Sequence, residues 1–387
     1  MAADPLGWID AESAAWSQRG LARRLAPHGT AIPGRQERDG RMLVNFGSND
    51  YLGLAADPRV IAAAVRTAEL QGWGAGASPL VTGWSNAHQS LSADLAQFEQ
   101  TEAVTLFPSG FAANLGTITA LVGPGDAVYA DRLNHACLID GARLAGARLR
   151  VYPHNDVSRL DTILQRDRGR FRRSLIATDG VFSMDGDLAP LADLADLADR
   201  FEAMLLVDEA HGTGVFGPDG RGSAAACGVA ERVSIRVGTL SKALGSVGGF
   251  VAGSQRLIDW LINRARPLIY STALPPPAAA AASQALAIAQ AEPWRRERLH
   301  AMSARLRQVL TTSGFDVGAS AGPIVPVLIG PPQQTLQLAE RLRNRGFLVP
   351  AIRPPTVPEG TARLRIGLSA AHHDDDVSGL IDALTGS

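Results

Sequence analysis

Lysine occurs once in this chain, at Lys242, although 37 residues are lysine or arginine. It lies in the segment GTLSKALGS (238–246), which is rich in glycine and serine. A guanidinium stays protonated near neutral pH, whereas an amine can lose its proton and become a nucleophile. Lowering an amine pKa from about 10.4 to about 7 takes roughly 4.6 kcal/mol. A catalytic Lys242 therefore needs a buried polar site. The alternative is that Lys242 has no chemical role and is present by chance in an arginine-rich composition.

Further polar residues follow the predicted strands of a parallel sheet. Short apolar runs alternate with helical stretches, which is typical of a mostly parallel sheet covered on both faces. The predicted strands are 103–107, 127–130, 174–178, 203–208 and 233–238. Asp179, Asp208 and Lys242 follow three of these runs, each about one βαβ unit from the next. Because ligands bind at the carboxyl ends of such strands, we expect the three residues to lie together. A solvated strand end is the alternative for Asp208.

The segment SGFAANLG (109–116) follows the first of these strands. Ser109 is a predicted N-cap, and the N–H groups from Gly110 to Ala112 would open a helix that can hold a phosphate. Combined with a lysine and an aspartate at neighbouring strand ends, this pattern predicts a site for pyridoxal phosphate. Lys242 would condense with the aldehyde and move the Cα proton, while Asp208 would keep the pyridine nitrogen protonated.

Three other residues have predicted contacts with this cofactor. His211 is expected near its phenolic oxygen, Ser183 near the ring and Thr239 near the phosphate. Three rival hypotheses are weaker. DEAH (208–211) resembles a helicase box, but the phosphate loop that a helicase needs is missing. A serine hydrolase would need a G-x-S-x-G motif, and a catalytically inactive scaffold subunit would be expected to lack Lys242.

Composition excludes several classes of protein. The net charge is −1, which gives no electrostatic case for nucleic acid or an acidic membrane surface. Two cysteines cannot form a disulfide framework, and no cysteine or histidine cluster has the spacing of a metal site. The N-terminus lacks the features of a signal peptide, and no apolar run is long enough to span a membrane. We expect a cytoplasmic protein.

The remaining segments predict how the chain is divided. We expect a helix over 6–27, a strand over 42–46 and a long alanine-rich helix within 271–292. Beyond it we expect strands at 324–330 and 363–368, with a helix over 336–345 between them. These elements predict three parts: an N-terminal helix and strand segment, a large cofactor-binding α/β domain and a small C-terminal α+β domain. Their predicted bounds are 1–45, 46–280 and 281–387.

Six motifs together resemble the α-oxoamine synthases, which are pyridoxal-phosphate enzymes with the aspartate aminotransferase fold. They are FGSNDYLGLA (46–55), SGFAANLG (109–116), TDGVFSMDGD (178–187), DEAHGTGVFG (208–217), TLSKALGSVGG (239–249) and IYSTALPP (269–276). The resemblance implies a mostly parallel seven-stranded sheet in the large domain and a smaller α+β domain. It also implies a homodimer with the active site at the subunit interface.

The resemblance also implies substrates and site residues. The segment 351–372 is most similar to members that join L-alanine to a pimeloyl thioester, with CoA or acyl carrier protein as the thiol, and release carbon dioxide. A relative that uses glycine and acetyl-CoA is the alternative. The family's cofactor contacts correspond to Gly110, Phe111, His135, Ser183, Asp208, His211, Thr239 and Lys242. His135 would stack on the cofactor ring, and Thr356 matches a substrate-contacting position.

Arginines are the candidates for binding the substrate carboxylate. In RLRIGL, Arg363 and Arg365 share one face of the predicted strand. We favour Arg365 and place Arg353 second, because a guanidinium can bind a carboxylate through two hydrogen bonds. A solvated edge strand is the alternative. Asn49 is expected near the substrate, and the family's N-terminal arginine corresponds to Arg23 or to its neighbour at position 24.

Overall fold

The seven-stranded sheet forms the centre of the molecule. The computed structural model describes residues 4–23 and 25–386. The strands of this sheet are β4 (Ala103–Phe107), β5 (Ala127–Asp131), β6 (Arg148–Tyr152), β7 (Ser174–Asp179), β8 (Met204–Asp208), β9 (Ile235–Thr239) and β10 (Gly249–Gly253). Their order is β4-β10-β9-β8-β7-β5-β6, and β10 alone runs antiparallel to its neighbours. The predicted mostly parallel seven-stranded sheet is confirmed.

Two smaller sheets flank this one. The first contains β1 (Ala31–Ile32), β2 (Arg35–Arg38), β3 (Arg41–Asn45) and β12 (Phe347–Leu348), in the order β1-β2-β3-β12. The second contains β11 (Ile324–Gly330), β13 (Ala351–Ile352) and β14 (Ala362–Gly367), in the order β11-β14-β13. Since β14 is the central strand and is buried throughout, the alternative of a solvated edge strand is wrong.

Helices cover the sheets on both sides. Between residues 4 and 201 they are α1 (Trp8–Gln18), α2 (Pro58–Gln71), α3 (Asn86–Glu99), α4 (Gly110–Leu121), α5 (Ala136–Leu144), α6 (Val157–Asp167) and α7 (Leu191–Phe201). After residue 201 they are α8 (Ser223–Ala226), α9 (Gln255–Arg264), α10 (Arg266–Ile269), α11 (Pro276–Ala291), α12 (Trp294–Thr312), α13 (Pro332–Asn344) and α14 (Asp374–Thr385). Within 4–23 and 25–386, no helix is long and apolar enough to cross a membrane.

The first helix is shorter than its sequence pattern predicts. We expected it to continue to Pro27, but it ends at Gln18, and Gly20 follows with φ = +67°. A glycine in the left-handed conformation is a common helix terminator, because it has no Cβ to strain this backbone. The chain beyond Gly20 is consequently free to run as an extended segment toward the C-terminal part of the molecule.

The alanine-rich helix α11 packs in a continuous apolar core. Its small buried side chains, including Ala279, Ala282 and Ala285, allow α2 and α3 to approach closely. The same core contains residues of the three-stranded sheet such as Leu364 and Ile366, so it joins this sheet to the helices. The domain boundaries at 45/46 and 280/281 stay a prediction, and α11 runs across the second of them.

Candidate active site

Lys242 lies three residues after the end of β9, at the carboxyl edge of the parallel strands. Its Nζ is 2.8 Å from His211 Nε2. Burial lowers the pKa of Lys242, and the carboxylates of Asp208 and Asp179 act in the opposite direction. The strand ends therefore bring the lone lysine and two acidic groups together, and a lowered pKa makes the neutral amine accessible.

A chain of polar contacts leads from Lys242 through His211 to Arg365. His211 Nδ1 is 2.6 Å from the Tyr51 hydroxyl, which donates to Asn49 Oδ1 at 3.3 Å. Arg365 Nη2 donates to Asn49 Oδ1 at 3.1 Å and to the Tyr51 oxygen at 3.5 Å. Burial and then the charge of Lys242 lower the pKa of His211 well below its usual value. His211 is therefore neutral at pH 7 and can accept a hydrogen bond from Lys242.

Asp208 ends β8 and is held on two sides. Asn114 Nδ2 donates to Oδ2 at 2.6 Å, and the Ala210 N–H donates to Oδ1 at 2.8 Å. Asp208 and Glu209 are 4% and 1% exposed, so the alternative of a solvated strand end is wrong for both. Glu209 has a different role, since it accepts the Ser223 and Ala224 N–H groups at the start of α8.

Asp179 pairs with Asp208 across the ends of β7 and β8. Its Oδ2 accepts the His135 N–H at 2.6 Å. Burial and then the negative charge of Asp208 raise the pKa of Asp179 well above its usual range. Burial and the neighbouring charge therefore favour the neutral form of Asp179.

The first turn of α4 provides the expected phosphate site. Ser109 caps the helix by accepting the Ala112 N–H at 3.1 Å. The Gly110 and Phe111 N–H groups stand at the start of the helix, where no earlier turn supplies an acceptor. A Cβ at Gly110 would lie 3.5 Å from Thr239 Oγ1, so the Thr239 hydroxyl borders the same space. A Cβ at Gly249 would lie 2.6 Å from the Gly110 nitrogen, so this close approach requires glycine in β10.

His135 and Phe111 present aromatic rings beside these groups. The two rings meet edge to face, with centroids 6.3 Å apart. His135 Nδ1 accepts the Cys137 N–H at 3.3 Å, which caps α5 and fixes the ring. His135 is nevertheless exposed, so one face remains available for a planar ligand.

Arg365 is fixed from the side of β7. Its Nε donates to the Ser183 carbonyl at 2.6 Å, and two residues earlier on β14 Arg363 forms an ion pair with Asp185. Both arginines are almost fully buried. Ser183 thus contacts Arg365 through its carbonyl oxygen, while its partly exposed hydroxyl was the group predicted to contact the cofactor.

The remaining predicted substrate residues form a separate contact. Arg353 donates to the Gly20 carbonyl, and Arg23 Nη2 donates to the Thr356 hydroxyl at 3.0 Å. Arg23 and Thr356 are exposed. We call these four residues the segment contact, because they join the chain after α1 to the turn after β13. The alternative arginine at position 24 lies outside the described residues.

The remaining predicted site residues, together with Tyr51, form what we call the strand-end cluster. The central residues of this cluster are Asn49, Tyr51, Asp208, His211, Lys242 and Arg365. Tyr51 and Asn114 were not among the predicted site residues, although both lie inside quoted motifs. Asn114 is one helical turn after Gly110, and that spacing is the signal that could have identified it.

These residues fit the cofactor that the sequence implies. An amine of lowered pKa, a buried carboxylate, an exposed imidazole and a glycine at a helix start lie near one another at the edge of the sheet. They match the aldehyde, the pyridine nitrogen, the ring face and the phosphate of pyridoxal phosphate in turn.

Comparison with known proteins agrees with this chemistry. The family model for aminotransferase class I and II matches residues 41–384. An 8-amino-7-oxononanoate synthase from Anaeromyxobacter dehalogenans (strain 2CP-1) is 53% identical over 384 residues, covering 99% of this chain and 96% of that protein.

Solved structures give the same result. A serine palmitoyltransferase from S. paucimobilis, solved with a bound PLP–myriocin aldimine, has a TM-score of 0.93 at 31% identity and covers 99% of this chain and 98% of its own. An 8-amino-7-oxononanoate synthase from Francisella tularensis has a TM-score of 0.78 at 29% identity, with coverage of 89% and 97%.

Proposed function

The chain belongs to the class I and II aminotransferase family and, within it, to the α-oxoamine synthases, and from this premise we propose that it makes 8-amino-7-oxononanoate. The proposed reaction joins L-alanine to a pimeloyl thioester and releases the thiol and carbon dioxide, as a step of biotin biosynthesis. The observation that carries this proposal is the 53% identity to an 8-amino-7-oxononanoate synthase over 99% of the chain.

The protein is a pyridoxal-phosphate-dependent acyltransferase. When bound, the cofactor supplies an electron sink for the charge that develops at the substrate Cα. We propose that Lys242 holds it covalently, that Asp208 pairs with its ring nitrogen and that His135 covers one ring face. The Gly110 and Phe111 N–H groups, with the Thr239 hydroxyl, hold the phosphate.

Lys242 is the proposed base and acid at the substrate Cα. Because burial lowers its pKa, the neutral amine can take a proton and later return it. His211 Nε2 accepts a hydrogen bond from Nζ and thereby orients the amine. The Tyr51 hydroxyl on the other ring nitrogen fixes the tautomer of His211, since a neutral imidazole has one N–H and one lone pair.

Asp208 is the proposed partner of the protonated ring nitrogen. Asn114 and the Ala210 N–H hold its two oxygens in place. Burial and the charge of Asp208 raise the pKa of Asp179, which favours a single negative charge at this place. Asp208 would therefore supply the negative charge that stabilises a protonated ring nitrogen.

Arg365 is the proposed site for the alanine carboxylate. It is buried, and Ser183, Asn49 and Tyr51 hold its guanidinium beside the chain that leads to Lys242. A buried arginine can bind a carboxylate strongly, because little water competes with the charge-assisted hydrogen bonds. The segment contact is the proposed site for the acyl substrate, since it carries the N-terminal Arg23 with Thr356 and Arg353.

We further propose that the protein is a homodimer that works in the cytoplasm. Several large apolar side chains are exposed on a single copy of the chain, and a second copy would cover them. They are Trp73, Leu80, Val81, Phe111 and Tyr270. The two cysteines, one buried and one exposed, are both free thiols, which suits a reducing compartment.

Thiol release would test the proposed substrates. The holoenzyme would be assayed with L-alanine, glycine and L-serine, each against pimeloyl, acetyl, succinyl and palmitoyl thioesters. We expect the highest kcat/KM with L-alanine and the pimeloyl donor, and a product with the mass of 8-amino-7-oxononanoate. Turnover confined to glycine would overturn the substrate assignment in favour of a relative such as 2-amino-3-ketobutyrate ligase. Turnover with serine and palmitoyl-CoA would favour the activity of the S. paucimobilis relative.

A further inference from the structure

A short hairpin after β7 lies between the large sheet and the three-stranded sheet. It covers residues 181–188 and is closed by a bridge between Val181 and Leu188. Inside it, the Phe182 N–H donates to the Asp187 carbonyl at 3.0 Å, and the Gly186 N–H donates to the Phe182 carbonyl at 2.8 Å. We call this segment the 181–188 hairpin. It carries Ser183, the residue whose carbonyl accepts Arg365 Nε.

The three-stranded sheet and the residues just before it contact one side of the 181–188 hairpin. Arg363 on β14 forms an ion pair with Asp185, and the Ala321 N–H donates to the Gly186 carbonyl at 3.0 Å. A Cβ at Gly186 would collide with the Ile324 carbonyl, so the contact is close. These contacts link the position of the hairpin to that of β14, the strand that carries Arg365.

His154 contacts the other side of the 181–188 hairpin. His154 Nε2 is 2.7 Å from Asp187 Oδ2 in the hairpin, and His154 Nδ1 is 3.0 Å from Asp131 Oδ1 at the end of β5. Asn155 reinforces this link, because its Nδ2 donates to Asp187 at 3.0 Å and its N–H donates to Asp131 at 2.7 Å. The His154 ring also meets Phe182 edge to face, with centroids 4.5 Å apart.

This geometry sets the charge of His154. A carboxylate oxygen can only accept, and a neutral imidazole has only one N–H to donate. Both ring nitrogens face carboxylate oxygens, so both hydrogen bonds are made only when the ring carries two protons. Burial lowers the pKa of His154, but its hydrogen bonds to Asp131 and Asp187 outweigh this effect and raise it to about 10.

We propose that His154, held as an imidazolium between Asp131 and Asp187, is a positioning residue that fixes the 181–188 hairpin and, through the Ser183 carbonyl, the direction of Arg365. None of the cofactor contacts described above involves His154. The proposal rests on the proposed role of Arg365 in binding the amino-acid carboxylate. It predicts that loss of the imidazolium weakens binding of the amino acid while leaving binding of the thioester nearly unchanged.

Substitution of His154 by glutamine tests the charge. Glutamine can donate to one carboxylate, but its own oxygen then faces the other. Addition of L-alanine alone to the holoenzyme would be followed by the visible absorbance of the cofactor, which gives a dissociation constant without turnover. We expect this constant to rise about tenfold in His154→Gln, because a small misplacement of a positioning group has a large effect on binding and rate. The KM for the thioester is expected to stay within about twofold.

A second substitution should reverse the effect. In His154→Gln/Asp187→Asn, the new amide at position 187 can donate to the glutamine oxygen, so that both hydrogen bonds are made again and the net charge of the three groups matches that of the wild type. We expect alanine binding to return to within about threefold of the wild type. Arg150→Gln is the matched control. It breaks the 2.7 Å ion pair between Arg150 on β6 and Asp167 at the end of α6, and neither residue has a hydrogen bond or ion pair with the hairpin among the described residues.

Hydrogen–deuterium exchange of the holoenzyme provides a readout that does not depend on the substrate. We expect faster exchange in 181–188 in His154→Gln, recovery in the double variant and no change in Arg150→Gln. Unchanged exchange of the hairpin in His154→Gln would overturn the proposal, as would faster exchange with an unchanged alanine constant. If the proposed function itself were wrong, the wild-type absorbance would not respond to L-alanine, and the exchange result would still decide whether His154 holds the hairpin.

Discussion

The strand-end cluster and the segment contact are held by different kinds of structure. In the strand-end cluster, buried polar side chains contact one another: Asp208 is held by Asn114 and the Ala210 N–H, and His211 lies between Lys242 and Tyr51. The segment contact joins residues such as Gly20 and Arg353, which are 333 positions apart, through a few bonds between partly or fully exposed residues. The proposed catalytic groups lie in the first region, and the proposed contacts with the long flexible acyl substrate lie in the second.

This difference follows from burial. A buried group with several partners cannot move without losing them, so its pKa and direction are well defined. Exposed arginines interact through water-screened contacts that contribute little rigidity. Substitutions in the strand-end cluster should therefore have large effects on catalysis, while those in the segment contact should mainly alter KM.

Lys242→Arg should produce the largest effect. It preserves the positive charge but removes the only amine that can become neutral and react. We expect kcat to fall at least about 10³-fold, with no covalent attachment of the cofactor after borohydride reduction and mass spectrometry. Far-UV circular dichroism would serve as the control for folding. Activity within tenfold of the wild type would mean that Lys242 is not catalytic, and the strand-end cluster would no longer differ from the segment contact in its effect on catalysis.

Two neighbouring aspartates offer a sharper test inside the strand-end cluster. Asp208→Asn should lower kcat/KM by about 10²–10³-fold, because the charge beside the cofactor nitrogen is lost. Asp179→Asn should lower it by less than about fivefold, since burial and the Asp208 charge already raise the pKa of Asp179 and so favour its neutral form. An amide oxygen at position 179 can still accept the His135 N–H.

Steady-state kinetics of both variants with saturating cofactor would measure this contrast. Equal losses in the two variants would mean that the charge of Asp208 does not distinguish it from Asp179, and would contradict the proposed role of Asp208.

Arg365→Lys and Arg353→Lys compare the two regions directly. We expect the KM for L-alanine to rise about 50-fold in Arg365→Lys, because a lysine cannot reproduce the planar guanidinium held by Ser183 and Asn49. In Arg353→Lys we expect at most about a threefold change for L-alanine and a larger change for the thioester. The reverse ranking would assign the amino-acid carboxylate to Arg353, the second candidate from the sequence.

The strand-end cluster could be identified from the sequence because several of its residues follow buried strands. Buried parallel strands leave continuous apolar runs, and the first polar residue after such a run lies at the ligand-binding edge. Lys242, Asp208 and Asp179 were located in this way, and the seven-stranded fold with its pyridoxal phosphate cofactor is confirmed by the comparisons. The roles of individual residues stay predictions.

Other features have no local signal. Strand β10 was not predicted, since its glycine-flanked run GFVAG is short and glycine is uncommon in strands. The end of α1 was placed too late because Gly20, rather than Pro27, terminates it. The segment contact depends on the docking of two exposed segments from opposite ends of the chain, and no periodicity in either segment predicts that docking.

Ion pairs near the two regions should also differ in their contribution to stability. His154→Gln should lower the free energy of unfolding by about 2 kcal/mol at pH 6, because two buried carboxylates lose a shared charged donor. Arg19→Gln should have no measurable effect, since Arg19 and Glu359 are 59% and 84% exposed. Urea unfolding of both variants and the wild type at several pH values would measure this.

The pH dependence gives the sign of the His154 contribution. Its pKa in the folded protein, about 10, lies above its ordinary value of 6.5, so the folded state binds the proton more tightly. The stabilisation is complete below pH 6.5 and falls as the pH rises from 6.5 through about 10. The difference between wild type and His154→Gln should therefore shrink over that interval, while the difference for Arg19→Gln stays near zero. A His154 difference that is constant from pH 6 to pH 10 would mean that packing, rather than charge, holds the hairpin beside the strand-end cluster.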